Sequence, residues 1–164
     1  MATETKLRQL ADKGCPVYYF YSSERYLVRQ AVTAITRILT ADSDEDATVL
    51  DGAAPEIEQL IMAAGTISFF GTRRVVVLPE IDPAAYSDKD LEELNSTLSS
   101  LENAVVVLGS VFELERSKLK TGKRAQKLIA QCKALGYTEE LAKPKPFELK
   151  MMMIDRCLLY TSPS

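Results

Sequence analysis

Apolar residues recur along this chain with two alternating periods. Leu7, Leu10 and Ala11 make a short helical stripe that Gly14 stops, and Val17-Tyr18-Tyr19-Phe20-Tyr21 follows as a run rich in strand-forming residues. Ser22 or Ser23 is placed to cap a helix whose Leu27, Val28, Ala31, Val32, Ile35, Ile38 and Leu39 fall at helical spacing. The acidic stretch from Asp42 to Asp46 reads as a solvated connector to a brief strand, Thr48-Val49-Leu50. Pro55 suits a helix start, and Ile57, Leu60, Ile61 and Ala64 form the stripe behind it.

A strand from Arg74 to Leu78 comes next, followed by Ser87 and Asp90 in a capping-box-like start. Leu91, Leu94, Leu98 and Leu101 mark the inner face of that helix, and Ala104 to Leu108 is a continuous apolar strand of the kind covered on both sides. Ala125, Leu128, Ile129, Cys132 and Leu135 line a further helix ended by Gly136, with Tyr137-Thr138-Glu139 as a marginal last strand. Strands alternating with helices predict an α/β fold, a parallel sheet with helices on both faces. Lys143-Pro144-Lys145-Pro146 breaks the pattern and divides the chain into a domain over 1–143 and the start of a helical second domain over 144–154. Residues 155–164 continue no amphipathic pattern and read as an unassigned, foreign-looking tail.

Composition narrows the chemistry. The 164 residues contain no histidine, which removes the commonest general base and metal ligand. Cys15, Cys132 and Cys157 lie too far apart for a metal-ligand spacing, and an odd number makes no disulfide framework. A net charge of −3 gives no global electrostatic case for nucleic acid. No apolar run reaches the roughly 20 residues of a membrane span, and the first residues carry no signal-like pattern. The expected location is cytoplasmic, away from a membrane.

A fold of this order invites a phosphate-binding loop after the first strand, built on glycines and a lysine. Tyr21-Ser22-Ser23-Glu24-Arg25-Tyr26 offers neither, and Gly122-Lys123 has Ser117 and Arg124 where a Walker A pattern needs Gly and Ser or Thr. Pro79 stands where an Asp would hold magnesium after Val75-Val76-Val77-Leu78. No nucleotide or other cofactor is expected. Two features remain. Phe69 and Phe70, between Gly65 and Gly71, are either plugs of the domain's own core or residues held out for a partner's pocket. Arg116, Lys118, Lys120, Lys123, Arg124 and Lys127 form a basic cluster, either a solvated face or a contact for phosphates or an acidic partner. Arg73 and Arg74 read as flanking charges that keep the Phe loop soluble, or as contacts for a partner's rim.

The order of the segments resembles the N-terminal domain of the delta subunit of the bacterial DNA polymerase III clamp loader, from about Val17 to Leu149. The first strand and turn through Leu27, then Leu50-Asp51-Gly52, Phe69-Phe70-Gly71-Thr72-Arg73-Arg74-Val75-Val76-Val77, Asn103 to Leu108 and the Lys-rich run carry the likeness. The resemblance implies a degenerate AAA+/P-loop-like core without a nucleotide site and without a catalytic site of its own, within a DNA-directed DNA polymerase III holoenzyme. It implies that Phe69 and Phe70, flanked by Ile67 and Ser68, enter a pocket on the sliding clamp, the beta subunit, and open that ring during DNA replication. Other clamp-loader subunits are implied partners of the full-length protein, with DNA near the assembly. Two departures stand out: Ser22-Ser23-Glu24 replaces the Gly-Glu-Glu often found there, and the chain stops near the start of the next domain. The rival readings are a scaffold module of another assembly, a DNA-binding module using Lys118, Lys120, Lys123, Arg124 and Lys127, and an active nucleotide or small-molecule enzyme, which the missing histidine and phosphate loop disfavour.

Overall fold

A computed structural model describes residues 4–12, 14–41, 46–65, 73–116 and 118–141. In chain order the elements are α1 (Glu4–Asp12), β1 (Val17–Ser22), α2 (Arg25–Thr40), β2 (Thr48–Val49), α3 (Ile57–Gly65), β3 (Arg74–Leu78), a 3₁₀ turn (Pro83–Ala85), α4 (Asp88–Ser99), β4 (Ala104–Val111), β5 (Leu114–Glu115), β6 (Lys118–Leu119), α5 (Gly122–Leu135) and β7 (Tyr137–Glu140). Five strands form one parallel sheet in the order β2-β3-β4-β1-β7, and β5 and β6 pair separately as an antiparallel hairpin.

The crossovers dictate where the helices go. From β1 the chain moves to the far edge through α2, then returns strand by strand through α3, α4 and α5. Right-handed connections therefore place α2 on one face and the other three on the opposite face. The two cores follow this division. Tyr18, Phe20, Val75, Val77, Val105 and Val107 pack under α1 and α2. Val17, Tyr19, Val76, Leu78, Val106 and Leu108 pack under α3, α4 and α5. β1 and β4 lie side by side at the centre, from Val17 opposite Val106 to Ser22 opposite Val111. Covered on both faces, they read as unbroken apolar runs.

Local signals act largely as the sequence predicts. Ser87 Oγ accepts the Asp90 N–H at 3.1 Å to begin α4. Gly14 ends the first helical segment with φ at 69°. Ser22 and Ser23 do not cap α2, however. Its cap is Glu24, which makes no side-chain capping bond, and Ser22 Oγ accepts the Glu24 N–H just before the helix. The hairpin β5–β6 was unforeseen in a segment that reads as charged loop.

The middle of the sheet leaves no room at Gly109. A Cβ there would stand 2.4 Å from the Pro79 carbonyl oxygen and 2.8 Å from Val28 Cγ1. Gly109→Ala is expected to lower unfolding free energy by about 1–3 kcal/mol, the usual cost of overpacking, read as a lower urea midpoint.

Burial also holds several groups neutral. Desolvation pushes the Cys132 thiol from its ordinary 9.0 up to about 12 and the Tyr86 hydroxyl from 10.0 up to about 12. In the unfolded chain both ionise at their ordinary values, so their contribution is complete below those values and lost as pH rises through the folded ones. The melting temperature is expected to fall between about pH 9 and 12, with Cys132 unreactive to thiol reagents until the chain unfolds.

Candidate functional site

Three regions carry the chemistry singled out in the sequence. The first is the connection from α3 to β3. Phe69, Phe70, Ile67 and Ser68 lie outside the described residues, but both roots of that connection are described. Ile57 and Leu60 bury the inner side of α3, while Ile61 and Met62 on its outer side are 52% and 73% exposed. At the other root, the Arg74 N–H donates to the Asn103 carbonyl at 2.9 Å. The Arg73 guanidinium donates to the carbonyls of Gly14 at 3.2 Å and Ala104 at 3.5 Å, and that of Arg74 to Thr48 Oγ1 at 3.4 Å. The two arginines do more than keep a loop soluble: they tie its exit to three neighbouring segments at the N-terminal edge of the sheet. Between the α3 and α4 ends lies a hollow of about 470 Å³ lined by Ile61, Ala64, Ser96, Ser100 and Leu101.

The second region is the basic cluster, which the fold divides. Arg124 Nε donates to Asp88 Oδ1 at 3.0 Å and Nη1 to the Ala84 carbonyl at 3.3 Å, while Lys127 lies 3.8 Å from Glu92. These two residues clip α5 to the acidic start of α4. Lys118 sits on β6 opposite Glu115, and the Lys120 N–H closes the hairpin onto the Glu113 carbonyl at 2.8 Å. Lys118, Lys120 and Lys123 are exposed. Arg116, in the turn of the hairpin, holds φ at 52°.

The third region is the crevice at the carboxyl ends of β1 and β4, where connections diverge to opposite faces of the sheet and open α/β folds place their ligands. Here the chain bonds to itself. Ser22 Oγ donates to the Leu141 carbonyl at 2.6 Å, the Phe112 N–H to the Ser22 carbonyl and the Leu141 N–H to the Tyr21 carbonyl, both at 2.8 Å. Deeper in, the Tyr19 hydroxyl donates to Ser110 Oγ at 2.7 Å, which donates to the Ile81 carbonyl at 2.8 Å. Burial raises the Tyr19 hydroxyl well above its ordinary value, with the Ser110 bond opposing that rise. Glu24 is the N-cap residue of α2, which puts an acidic residue at the helix end where a phosphate would otherwise be welcome, although its side chain makes no capping bond. Arg25 Nε pairs with Glu80 across the mouth of the crevice. Among the described residues, no group of three or more His, Cys, Asp and Glu side chains could hold a metal ion, and no helix is long and apolar enough to cross a membrane.

Residues 18–135 match the protein family described as DNA polymerase III, delta subunit. The chain belongs to the DNA polymerase III delta subunit family. It is 28% identical to DNA polymerase III subunit delta of Bacillus subtilis (strain 168), an alignment covering 76% of this chain and 39% of the relative. The chain thus spans about two fifths of the curated relative's length. Among solved structures it is similar to a DNA polymerase III gamma subunit-related protein of Thermotoga maritima, with a TM-score of 0.59 and 15% identity over 89% of this chain and 48% of that one. At that identity the likeness is one of fold, an α/β architecture built on a parallel sheet.

The self-bonded crevice yields a direct test. Ser22 is fully buried and its hydroxyl serves both Leu141 and Glu24. Ser22→Ala orphans a buried carbonyl and an amide, and is expected to cost about 1–3 kcal/mol by chemical denaturation, with increased proteolysis after residue 141.

Proposed function

We propose that this chain is the clamp-binding domain of a clamp-loader delta subunit, acting by binding rather than by chemistry. Phe69 and Phe70, with Ile67 and Ser68 beside them, enter a hydrophobic pocket on the ring-shaped sliding clamp. The observation that carries this reading is the family match, whose span of residues 18–135 includes the Phe-Phe segment. The hydrogen bonds of Arg73 and Arg74 to Gly14, Ala104 and Thr48 support it, since they fix the chain where it enters β3 just after the Phe-Phe segment.

Opening the ring requires only differential affinity. A loop that binds the opened interface more tightly than the closed one shifts the population toward open, by as much as that difference and no more. Burying both rings contributes about 3–6 kcal/mol gross, enough for a hot spot but short of a whole interface after ordering costs. In the full-length protein, further domains join the other loader subunits, and their nucleotide state governs when the loop meets the clamp.

Phe69→Ala combined with Phe70→Ala is expected to abolish retention on immobilised sliding clamp while the melting temperature of the domain stays within a few degrees of wild type. Undiminished retention by the folded double variant rejects the assignment of these two residues.

A further inference from the structure

Charge is segregated across this molecule in a way the net value of −3 conceals. On one face of the sheet an acidic helix meets a basic one. Asp88 and Glu92, one turn apart on α4, pair with Arg124 and Lys127 of α5. On the opposite face α2 carries Arg25, Arg29 and Arg37 and no carboxylate over its 16 residues. α1 beside it offers Glu4 and Asp12 but also Lys6 and Arg8. Arg25 pairs with Glu80, whereas Arg29 and Arg37 join no ion pair among the described residues. α2 is a basic helix that lacks the acidic neighbour α5 has.

Arg25, Arg29, Thr33 and Arg37 recur every fourth residue, so they form one exposed ridge along α2. The ridge borders a groove of about 830 Å³ closed by Leu7 of α1 and by Leu141. Ala31, Ala34 and Ile38 join those leucines in an aliphatic floor, and no acidic residue lines the groove among the described residues.

The geometry selects among anions. At 1.5 Å of rise per residue, Arg29 and Arg37 lie about 12 Å apart along the axis, too far to converge on one small anion. An extended acidic peptide would lay unpaired backbone N–H and C=O groups on helical walls whose own backbone is already bonded. A helix brings its backbone bonds with it. Carboxylates at every fourth residue of such a helix repeat at about 6 Å, the spacing of the arginine ridge. Aliphatic side chains next to them would fill the floor, as an amphipathic helix fills a groove. A nucleic acid strand satisfies the arginines, but its bases are held by stacking on rings. Tyr26, the one ring lining the groove, already engages another group of the chain. The chain's own continuation, Ala142-Lys143-Pro144-Lys145-Pro146, would bring lysines and no carboxylate to the arginines.

We propose that the outer face of α2 docks an acidic amphipathic helix of a partner protein. Arg29 and Arg37 hold carboxylates eight residues apart on that helix, and Ala34 and Ile38 lie under its apolar side. The pairing of α4 with α5 is the same arrangement made within the chain. The proposal uses none of residues 66–72 and stands or falls independently of the clamp contact. It also differs from the Lys118–Lys127 cluster, to which the sequence alone directs attention.

The test is fluorescence anisotropy on the whole chain with a labelled peptide of about 16 residues, long enough to hold a helix. The peptide carries Glu at every fourth position beside a stripe of Leu, and a second peptide has the same composition in shuffled order. The ordered peptide is expected to bind saturably at low salt, and the shuffled one about tenfold more weakly because its apolar side is lost. Arg29→Gln with Arg37→Gln is expected to weaken binding of the ordered peptide about tenfold and to remove most of its salt dependence. Ala34→Glu, which sets a carboxylate in the floor, is expected to weaken it by at least as much. Lys118→Gln with Lys123→Gln should bind as wild type does. Four of these side chains are exposed and Ala34 is half-buried, and circular dichroism confirms that each variant is folded. The proposal is overturned if the ordered peptide does not bind, if the shuffled peptide binds equally, or if the arginine variant binds like wild type. Displacement of the peptide by an equimolar oligothymidylate also overturns it, and reassigns the groove to nucleic acid. A dimer in sedimentation velocity that the arginine variant dissociates overturns it too, and gives the groove to a second copy of the chain.

Discussion

Everything in this domain is referred to the pairing of β1 with β4. These two strands are buried on both sides, so neither has a solvent face to forgive a slip in register, and a shift of one residue would exchange the two cores. Polar groups reinforce the choice. The Tyr19 hydroxyl, Ser110 Oγ and the Ile81 carbonyl form a buried relay that exists only when Val17 stands opposite Val106. Gly109 lets the Pro79 carbonyl and α2 close on the same strand. The flanking strands then add outward to short edges, two residues at β2 and four at β7.

From that centre the molecule is organised by ends. The amino ends of the strands hold the roots of the Phe-Phe connection, secured by Arg73 and Arg74. The carboxyl ends hold a crevice whose polar groups are satisfied by the chain's own serines and backbone. There the Ser22–Leu141 bond joins the end of β1 to the chain just past β7.

Much of this was legible in the pattern of residues, because strands covered on both faces and helices with one apolar stripe leave strong periodic signals. Val17–Tyr21, Ala104–Leu108 and the stripes of α2, α4 and α5 could hardly be read otherwise. What escaped was encoded at a distance. Glu113 to Lys120 shows no period because its hairpin is two residues deep on each strand and Leu114 faces solvent. The division of the basic cluster depends on Asp88 and Glu92, which lie 36 and 35 positions before Arg124 and Lys127. The arginines of α2 were visible, yet their groove is made by α1 and Leu141, which only the folded chain brings alongside. Ser22 looked like a helix cap because Ser, Thr, Asp and Asn are favoured there; the cap falls two positions later, at Glu24, and Ser22 bridges to Leu141 instead. The Phe pair stood out by its bordering glycines, and its residues fall outside the described structure.

The attachment of Arg73 and Arg74 has a mechanical consequence. A tug on the segment they terminate enters the sheet along the axis of β3, which is hydrogen-bonded to β2 on one side and β4 on the other. Load in that direction shears several bonds together instead of peeling them one after another. The paired interior of the sheet thus stands directly behind the strand that Arg74 opens.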